Sequence, residues 1–484
     1  MVKKRLLILM LALVALAGYS AQNSFAEPPI EDSIQSVPQF ATAVPSGNAL
    51  LACTLTSADT SEFLGCHLSY ARDYLPAFEK TAVSNQDCNN GEAGEYPCDS
   101  IHLQSLMPLA DMGGGNGNDI WGWTDPTTNK EYVIMGRTNG TSFVDISDPI
   151  NPIYLGNLPT SSISSIWRDM KVYQDHAYIV ADSAGNHGMQ VFDLTQLRSV
   201  TSPPVTFSAI VLYTDLGSSH NIFINEDSGT AYALGNSSGL NTCGGGLHII
   251  DIQTPTSPAF LGCYNSDGYI HDTQCVNYTG PDADHSGKEI CFNASVNDLT
   301  IVDLTDKSNP IRISGSGYPT NVYAHQGWLT DDQRYLFLND EGDETAQNQF
   351  ARTYIFDVSD LDAPRFVKAY TAVEPAIDHN LYIHNGLIFE ANYRSGLRVL
   401  EFDESSETLS EVAFFDTFET SETNEAQFNG AWSSYPFFPS GNIAVSTIEH
   451  GLFILRLDDS VGDGSGTPDF DSSTYLPLMV SPEE

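Results

Sequence analysis

The sequence predicts an all-β fold, a seven-bladed β-propeller, from three observations: two motifs that each recur seven times, and an N-terminal strand able to complete the last copy. The first motif is an apolar strand core that usually ends in an acidic residue, at intervals of 44 to 58 residues. Its copies are centred on Asp145, Asp193, Asp251, Asp303, Asp357, Glu401 and Arg456. This interval is the length of one four-stranded propeller blade.

The second motif opens a short strand upstream of each core. Its copies begin at Trp121, Trp167, His220, His271, His325, His379 and Trp432. Each copy then reads as a landmark strand, a second strand, a turn, the acidic-core strand and a fourth strand. Because the first strand of a propeller blade lines the central channel, we expect the seven landmark side chains to converge near the axis.

The last copy stops near Leu457 without a fourth strand, whereas the segment 101–109 reads as a strand without a blade of its own. An unpaired strand edge invites aggregation, and a closed ring removes it. We therefore expect 101–109 to pair with 452–457 and to close the propeller.

The ends of the chain differ from the repeats. The N-terminal segment has three basic residues, Lys3, Lys4 and Arg5, followed by an apolar run. Small residues then form a cleavage-like site, and this order is typical of a bacterial signal peptide. The predicted organisation is a signal peptide at 1–26, a disulfide-rich extension at 27–99, the propeller at 100–457 and an acidic, Gly/Ser-rich tail at 458–484.

The eight cysteines form two groups separated in sequence: Cys53, Cys66, Cys88 and Cys98, then Cys243, Cys263, Cys275 and Cys291. An even number of cysteines in an exported chain indicates disulfides, and the long gap between the groups favours pairing within each group. A metal site is the alternative, but the chain has no CxxC spacing.

Charge limits the partners. The chain has 62 acidic and 20 basic residues, a formal net charge of -42. Nucleic acids and anionic membranes repel such a polyanion. No stretch beyond the leader has the length and apolar character of a membrane helix. We expect an extracellular protein, a glycan or a small ligand as partner, and no nucleic acid.

The landmark histidines, with nearby acidic residues, are the candidate chemistry. Imidazole and carboxylate groups hold divalent metal ions, which are the candidate cofactor and can activate water. The candidate metal ligands are His271, His325, His379, Asp340 and Glu341. The candidate channel-binding residues are Trp121, Trp167, Arg168, His220, His271, Asp272, His325, Asp378, His379 and Trp432. In the alternative interpretation the histidines only hydrogen-bond neighbouring blades.

Two further acidic features have simpler interpretations. Asp340, Glu341, Asp343 and Glu344 lie in a predicted hairpin turn, where calcium would suit them, but a solvated loop is the favoured interpretation. The acids that end the strand cores are expected to cap backbone N–H groups in the following turns.

Several blocks of sequence resemble the choice-of-anchor B proteins, which are related to the LVIVD-repeat group. They include NDIWGW at 118–123, SFVDISDPINPIYLG at 142–156, YAHQGWLTDDQRYLFLNDEGDE at 323–344 and NYRSGLRVLEF at 392–402. The resemblance covers roughly residues 85–457. It implies an exported, surface-associated β-propeller without an assigned reaction. Because no sorting motif or hydrophobic tail follows residue 457, we expect secretion or release rather than anchoring.

Two functions of different classes follow. The favoured one is an exported, cell-surface or secreted binding or adhesion module, since no GxSxG, P-loop or HExxH motif is present. The alternative is a metal-dependent hydrolase or lyase that uses the histidine arc in the channel. A regulatory partner of secreted proteases is a third, weaker option. Fold alone does not choose among them.

Overall fold

The structure is a computed structural model that describes residues 80–419 and 425–461. The predicted signal peptide, Cys53, Cys66 and most of the acidic tail lie outside the described residues. The domain boundaries proposed above therefore stay predictions. No helix in the described ranges has the length and apolar character needed to cross a membrane.

The described residues form seven sheets of at least four strands each, antiparallel except where β12 joins β8, and these sheets are the blades of the predicted propeller. Four strands precede the first complete blade: β1 (Val83–Gln86), β2 (Glu92–Ala93), β3 (Tyr96–Asp99) and β4 (Ile101–Pro108). Blade 1 contains β5 (Gly117–Thr124), β6 (Glu131–Arg137), β7 (Gly140–Asp145) and β8 (Ile153–Pro159). Blade 2 contains β9 (Arg168–Tyr173), β10 (His176–Ala181), β11 (Met189–Asp193) and, after an edge strand β12 (Val205–Thr206), β13 (Val211–Tyr213). Strand β12 instead pairs with β8 of blade 1.

The remaining blades follow in chain order. Blade 3 contains β14 (Asn221–Asn225), β15 (Thr230–Leu234), β16 (Leu247–Asp251) and β17 (Ala259–Tyr264). Blade 4 contains β18 (Asp272–Asn277), β19 (Glu289–Ala294), β20 (Leu299–Asp303) and β21 (Ile311–Ser316). Blade 5 contains β22 (Ala324–Leu329), β23 (Tyr335–Asp340), a short helix α1 (Asp343–Gln347), β24 (Arg352–Asp357) and β25 (Arg365–Thr371). Blade 6 contains β26 (Asn380–His384), β27 (Leu387–Ala391), β28 (Leu397–Asp403) and β29 (Thr408–Phe415). Blade 7 contains β30 (Ala431–Tyr435), β31 (Asn442–Thr447) and β32 (Gly451–Leu457).

The hydrophobic core lies between the blades. Seven clusters of buried side chains each join two adjacent sheets, and together they occupy all seven interfaces around the ring. The second and third strands of each blade are the most buried, because residues on both faces pack against a neighbouring blade; β6 and β7 are buried at every position. The fourth strands are more exposed, as in β17. This packing holds the innermost strands around the channel.

The predicted closure is confirmed. Strand β4 pairs antiparallel with β32, and the register runs from Leu452 opposite Met107 to Leu457 opposite Ile101. The extension adds further pairing, because β1 continues blade 7 beyond β4 and β3 pairs with the outer strand of blade 6. The chain before residue 100 therefore joins the last two blades.

Sequence features of the repeats have direct structural counterparts. The carboxylates of Asp145, Asp193, Asp251, Asp303 and Asp357 each accept a hydrogen bond from the backbone N–H two residues later. Gly188 and Gly396, which precede third strands, have φ of +72° and +71°. A Cβ at either glycine would lie 2.4 Å or less from a carbonyl oxygen of the fourth strand, so a side chain is excluded.

Three disulfides lie within the described residues. Cys88 bonds to Cys98, Cys243 to Cys263, and Cys275 to Cys291. All three pairs fall within the predicted groups. Cys275 and Cys291 face each other on β18 and β19, so this bond joins the two inner strands of blade 4.

Candidate functional site

An arc of aromatic rings lies at one end of the central channel. Ring contacts run without a break through Trp167, His220, His271, His325, His379 and Trp432, with successive centroid distances of 6.1, 4.6, 4.0, 4.4 and 5.1 Å. Each ring lies at or next to the start of the innermost strand of blades 2 to 7. The structure thus brings six of the seven landmark residues together.

Backbone carbonyls fix two of these imidazoles. His271 Nδ1 lies 2.8 Å from the carbonyl oxygen of His325, and His379 Nδ1 hydrogen-bonds to the carbonyl oxygen of Trp432. Because a carbonyl oxygen only accepts, each Nδ1 must carry the hydrogen. In the neutral ring Nε2 is then the basic atom, which is the arrangement that protein metal sites use to orient a histidine ligand.

Glu341 brings a carboxylate to the arc from the end of β23. Its Oε2 lies 3.3 Å from His325 Nε2, its Oε1 lies 3.6 Å from His379 Nε2, and the Tyr393 hydroxyl donates to Oε1. Burial raises the pKa of Glu341 well above its usual value. One potential ligand atom from each of His271, His325 and Glu341 lies within 4.8 Å of the others, and all three residues are buried.

His220 has a separate partner. Its Nδ1 lies 3.2 Å from Asp182 Oδ2, and both side chains are largely buried. Although burial opposes the charge of Asp182, the hydrogen bond and charge of His220 outweigh it, and the pKa of Asp182 is lowered. His220 therefore belongs to the ring arc but is held by its contact with Asp182 of blade 2 rather than grouped with Glu341.

The landmark alignment is wrong in blades 1 and 2. Asp119, Asp169 and Asp272 occupy equivalent positions, since each accepts a hydrogen bond from the next backbone N–H. The residues that correspond to His271 are therefore those that precede these acids, Asn118 and Arg168. Trp121 lies further along β5, away from the arc.

Arg168 is buried at this position and donates to the carbonyl oxygen of Arg137, while its guanidinium contacts His187 Nε2 at 3.0 Å. Burial and the nearby charge of Arg137 lower the pKa of Arg168 to about 9. Its hydrogen bonds join blades 1 and 2, so the structure shows it as a contact between blades.

A layer of charged residues lies deeper in the channel. Lys171 Nζ is 2.7 Å from Asp169 Oδ1, the charge of Asp119 also acts on it, and its own charge opposes the raised pKa of Asp272. Burial disfavours the Lys171 charge, but these carboxylates and the Tyr382 phenol raise its pKa. Burial raises the pKa of Asp272 to about 7 and that of Asp119 well above its usual value. Asp272 thus belongs to this layer and not to the histidine arc.

Aromatic rings fill the next layer of the channel. Trp121 contacts Tyr382 and Tyr435 at centroid distances of 5.7 and 5.1 Å, and Lys171 Nζ lies 4.6 Å from the Trp121 ring centroid. Trp328 contacts Tyr382 at 4.9 Å and Phe223 at 6.0 Å. Trp121 and Tyr382 come from blades 1 and 6. Phe223 and Trp328 come from blades 3 and 5. Rings from non-adjacent blades therefore meet and narrow the channel.

The acidic run at 339–344 is not a solvated hairpin turn. The chain leaves β23 and enters α1, and Asp340, Glu341, Asp343 and Glu344 are at most 1% exposed. Asp340 accepts hydrogen bonds from the backbone N–H groups of Val322, Tyr323 and Gly342 and from the Tyr318 hydroxyl. Its carboxylate therefore fixes the loop before β22 and does not join the histidines as a metal ligand.

Asp378 also lies elsewhere than expected. Although it precedes His379, its carboxylate turns away from the arc and groups with Asp343 and Glu344 of α1. The backbone N–H of Arg352 donates to Asp378 Oδ2 at 2.9 Å. Asp378 therefore lies at the interface of blades 5 and 6.

Some residues of the channel were missed from the sequence. Lys171 and Asp169 alternate on β9 in a way that places both on one face, so strand periodicity contained a signal for this pair. Tyr393 and Asp182 come from loops or strand ends of neighbouring blades. No repeat position marks either one, and only the packing of blades brings them to Glu341 and His220.

Comparison with known proteins defines a class rather than an individual relative. Two segments, residues 243–266 and 291–315, match the LVIVD repeat. They cover the third and fourth strands of blade 3 and most of the second to fourth strands of blade 4. The chain is thus a seven-bladed β-propeller that contains LVIVD repeats. A search of curated proteins gives no significant match.

Several solved structures are similar to parts of this chain at low identity. The β-propeller domain of Cps50 (Swd1) from Myceliophteria thermophila is 11% identical, with a TM-score of 0.45 over 71% of this chain and 97% of that domain. The periplasmic gluconolactonase PpgL of Pseudomonas aeruginosa is 12% identical, with a TM-score of 0.42 over 63% and 85%. A protein from Lactobacillus plantarum is 11% identical, with a TM-score of 0.46 over 68% and 88%.

Proposed function

We propose that this chain is an exported binding module of the choice-of-anchor B kind, and that a divalent metal ion in the histidine arc forms part of its ligand site. Export is supported by the basic and apolar leader, by the three disulfides and by the LVIVD repeats. The acidic surface charge favours a cationic partner, or a glycan or protein bridged through a divalent ion.

The donor set around Glu341 carries this proposal. His271, His325 and Glu341 offer two imidazoles and one carboxylate within 4.8 Å. Mixed nitrogen and oxygen donors suit Zn²⁺, Mn²⁺ or Fe²⁺ better than Ca²⁺. The His271 tautomer set by the His325 carbonyl orients Nε2 as a ligand. An ion there would connect the inner strands of blades 4 and 5.

Metal analysis tests the site. The purified chain should retain about one equivalent of a transition metal, and the EDTA-treated chain should bind Zn²⁺ in a calorimetric titration. His325→Ala and Glu341→Gln should abolish the titration. The matched control His176→Ala removes a half-buried imidazole whose contact is the Gln174 carbonyl, and it should leave binding intact. Equal Zn²⁺ binding by wild type and His325→Ala would contradict the assignment.

Arrays of extracellular glycans and proteins test the binding role itself. We expect the metal-loaded chain to bind at least one class of ligand, and chelation or His325→Ala to remove that binding. If the metal-loaded chain and the metal-free chain gave identical array profiles, ligand binding would not depend on the metal. That result would contradict the proposed role of the ion.

A metal-dependent hydrolase or lyase is the second candidate. The observation in its favour is the donor set itself, since two histidines and one glutamate are the protein ligands of several zinc hydrolases. The Tyr393 hydroxyl, which donates to Glu341, would be the nearest proton donor. Turnover of polysaccharide or ester substrates by the zinc-loaded wild type, lost in Glu341→Gln, would favour this candidate over the binding module.

A further inference from the structure

A second group of acidic residues lies between blades 5 and 6. Asp343 and Glu344 begin α1, and Asp378 precedes β26. Their exposed fractions are 0%, 1% and 0%. One carboxylate oxygen from each of the three lies within 4.8 Å of the other two. The chain thus buries three acids at one point.

One oxygen of each carboxylate is anchored. The Tyr354 hydroxyl donates to Asp343 Oδ2, and the backbone N–H of Arg352 donates to Asp378 Oδ2 at 2.9 Å. The backbone N–H of Asp378 lies 3.3 Å from Glu344 Oε1. These contacts hold the three side chains in place.

The second oxygen of each carboxylate has no hydrogen-bond partner within the described residues. These atoms are Asp343 Oδ1, Glu344 Oε2 and Asp378 Oδ1, and each is buried. A buried carboxylate oxygen without a partner costs several kcal/mol in desolvation. Three such atoms in one group indicate that a ligand of positive charge belongs there.

Nearby charges do not supply that ligand. Asp340 lies close enough to raise the pKa of Asp343 further, and Glu390 does the same for Asp378. The Gln349 amide and, as the last of the causes, the half-buried Arg352 guanidinium act in the opposite direction on Asp343, and the Glu344 and Asp378 carboxyls can hydrogen-bond to each other when one of them holds a proton. The groups that act on the three carboxyls are therefore mainly acidic.

We propose that Asp343, Glu344 and Asp378 bind a hard divalent cation, with Ca²⁺ as the preferred ion, and that this ion joins blade 5 to blade 6. Ca²⁺ takes oxygen ligands at 2.3–2.6 Å, so two oxygens on opposite sides of one ion lie about 4.8 Å apart. The three carboxylates fit within that limit. A set of oxygen donors alone favours Ca²⁺ over the metals expected at the histidine arc.

Calcium titration of the full chain tests this site. After EDTA treatment, Ca²⁺ at a hundredfold excess over Kd should raise the Tm at pH 8 by about 3 °C for a chain of this size. Tb³⁺ should bind competitively with Ca²⁺, with emission sensitised by the nearby Tyr354. Asp378→Asn and Glu344→Gln preserve shape and should remove both signals.

Two matched variants complete the test. Glu131→Gln alters another buried carboxylate, whose oxygens accept from Ser440, and it should keep the Ca²⁺ response. His325→Ala should also keep it, which separates this site from the histidine arc. The proposal is overturned if wild type shows neither a Tm rise nor Tb³⁺ binding, or if Asp378→Asn responds to Ca²⁺ as wild type does.

Discussion

Replacement of Lys171 by methionine is expected to destabilise the propeller about as much as a large-to-small substitution in its core. The side chain is 9% exposed, and its ammonium group is paired with Asp169 at 2.7 Å. The same cation interacts with the charges of Asp119 and Asp272 and with the Trp121 ring. Methionine preserves the length and apolar stem of the side chain, so the change isolates the charge.

The size of the effect follows from this geometry. A charge pair at 2.7 Å with an effective dielectric constant of 20 has a Coulomb energy of about 6 kcal/mol. Desolvation of the ammonium group offsets much of that energy while the pair is intact. Loss of the cation alone leaves buried carboxylates without compensation, and such changes cost about 3–5 kcal/mol. We expect Lys171→Met to lower the free energy of unfolding by that amount at pH 8.

The pH dependence gives the effect a signature. Asp272 has a folded-state pKa raised to about 7, so its contribution to stability is complete below pH 4 and is lost as pH rises through 7. Without Lys171 the nearby carboxylates should retain protons to higher pH. The destabilisation should therefore be smaller at pH 5 than at pH 8.

Denaturant unfolding of wild type and Lys171→Met at both pH values measures this effect. Lys171→Met combined with Asp169→Asn should recover part of the loss, because the uncompensated charge is removed. A loss below about 1 kcal/mol at pH 8, or the same loss at both pH values, would refute the assignment of Lys171 as the counterion of the channel acids.

The remaining predictions concern closure and the disulfide in blade 4. Leu455→Ala in the buried closing strand should lower the free energy of unfolding by about 2–5 kcal/mol. Ile311→Ala on an exposed outer strand should change the free energy of unfolding by less than about 0.5 kcal/mol. If chemical denaturation gave comparable losses for the two variants, the result would argue against the closed ring. Paired replacement of Cys275 and Cys291 by alanine opens a loop of 16 residues and should cost about 3 kcal/mol. An unfolding midpoint equal to that of the oxidised wild type would show that the bond adds nothing.

The blade repeat could be predicted from the sequence because each copy repeats the same local physics. Asp303 and Asp357 mark the ends of strands by capping the next turn, and they do so without help from distant residues. Closure was also predictable. The segment 101–109 reads as a strand without a blade, and the last repeat lacks its fourth strand, so each can complete the other.

The channel was predicted less completely. Trp121 was aligned with the other rings because it is large and aromatic, whereas the equivalent position holds Asn118, a residue with no aromatic signal. Backbone geometry at Asp119 reveals the register, and this geometry is not visible in the sequence. The acidic run predicts both Asp340 and Glu341 as metal ligands. Only Glu341 reaches the histidines, because the chain turns after β23 and directs the two side chains to different partners.

The acidic group at blades 5 and 6 shows a different limit. Asp343 and Glu344 were interpreted as part of a solvated loop because acidic runs in an acidic chain are usually exposed. Their burial depends on Asp378, which lies more than 30 residues later and belongs to the next blade. Long-range contacts of this kind carry no local sequence signal.

The pairing of β4 with β32 has a consequence for how the chain folds. Pro108 and Gly451 are 343 positions apart, so one edge of β4 can pair locally with β1, whereas its other edge has no partner until nearly the whole chain has been synthesised. Contacts of such separation slow folding, because the entropy of closing a long loop must be overcome before they form. During that delay the edge of Ile101–Pro108 that later pairs with β32 is open to pairing with other molecules, so we expect recovery on refolding to fall as protein concentration rises.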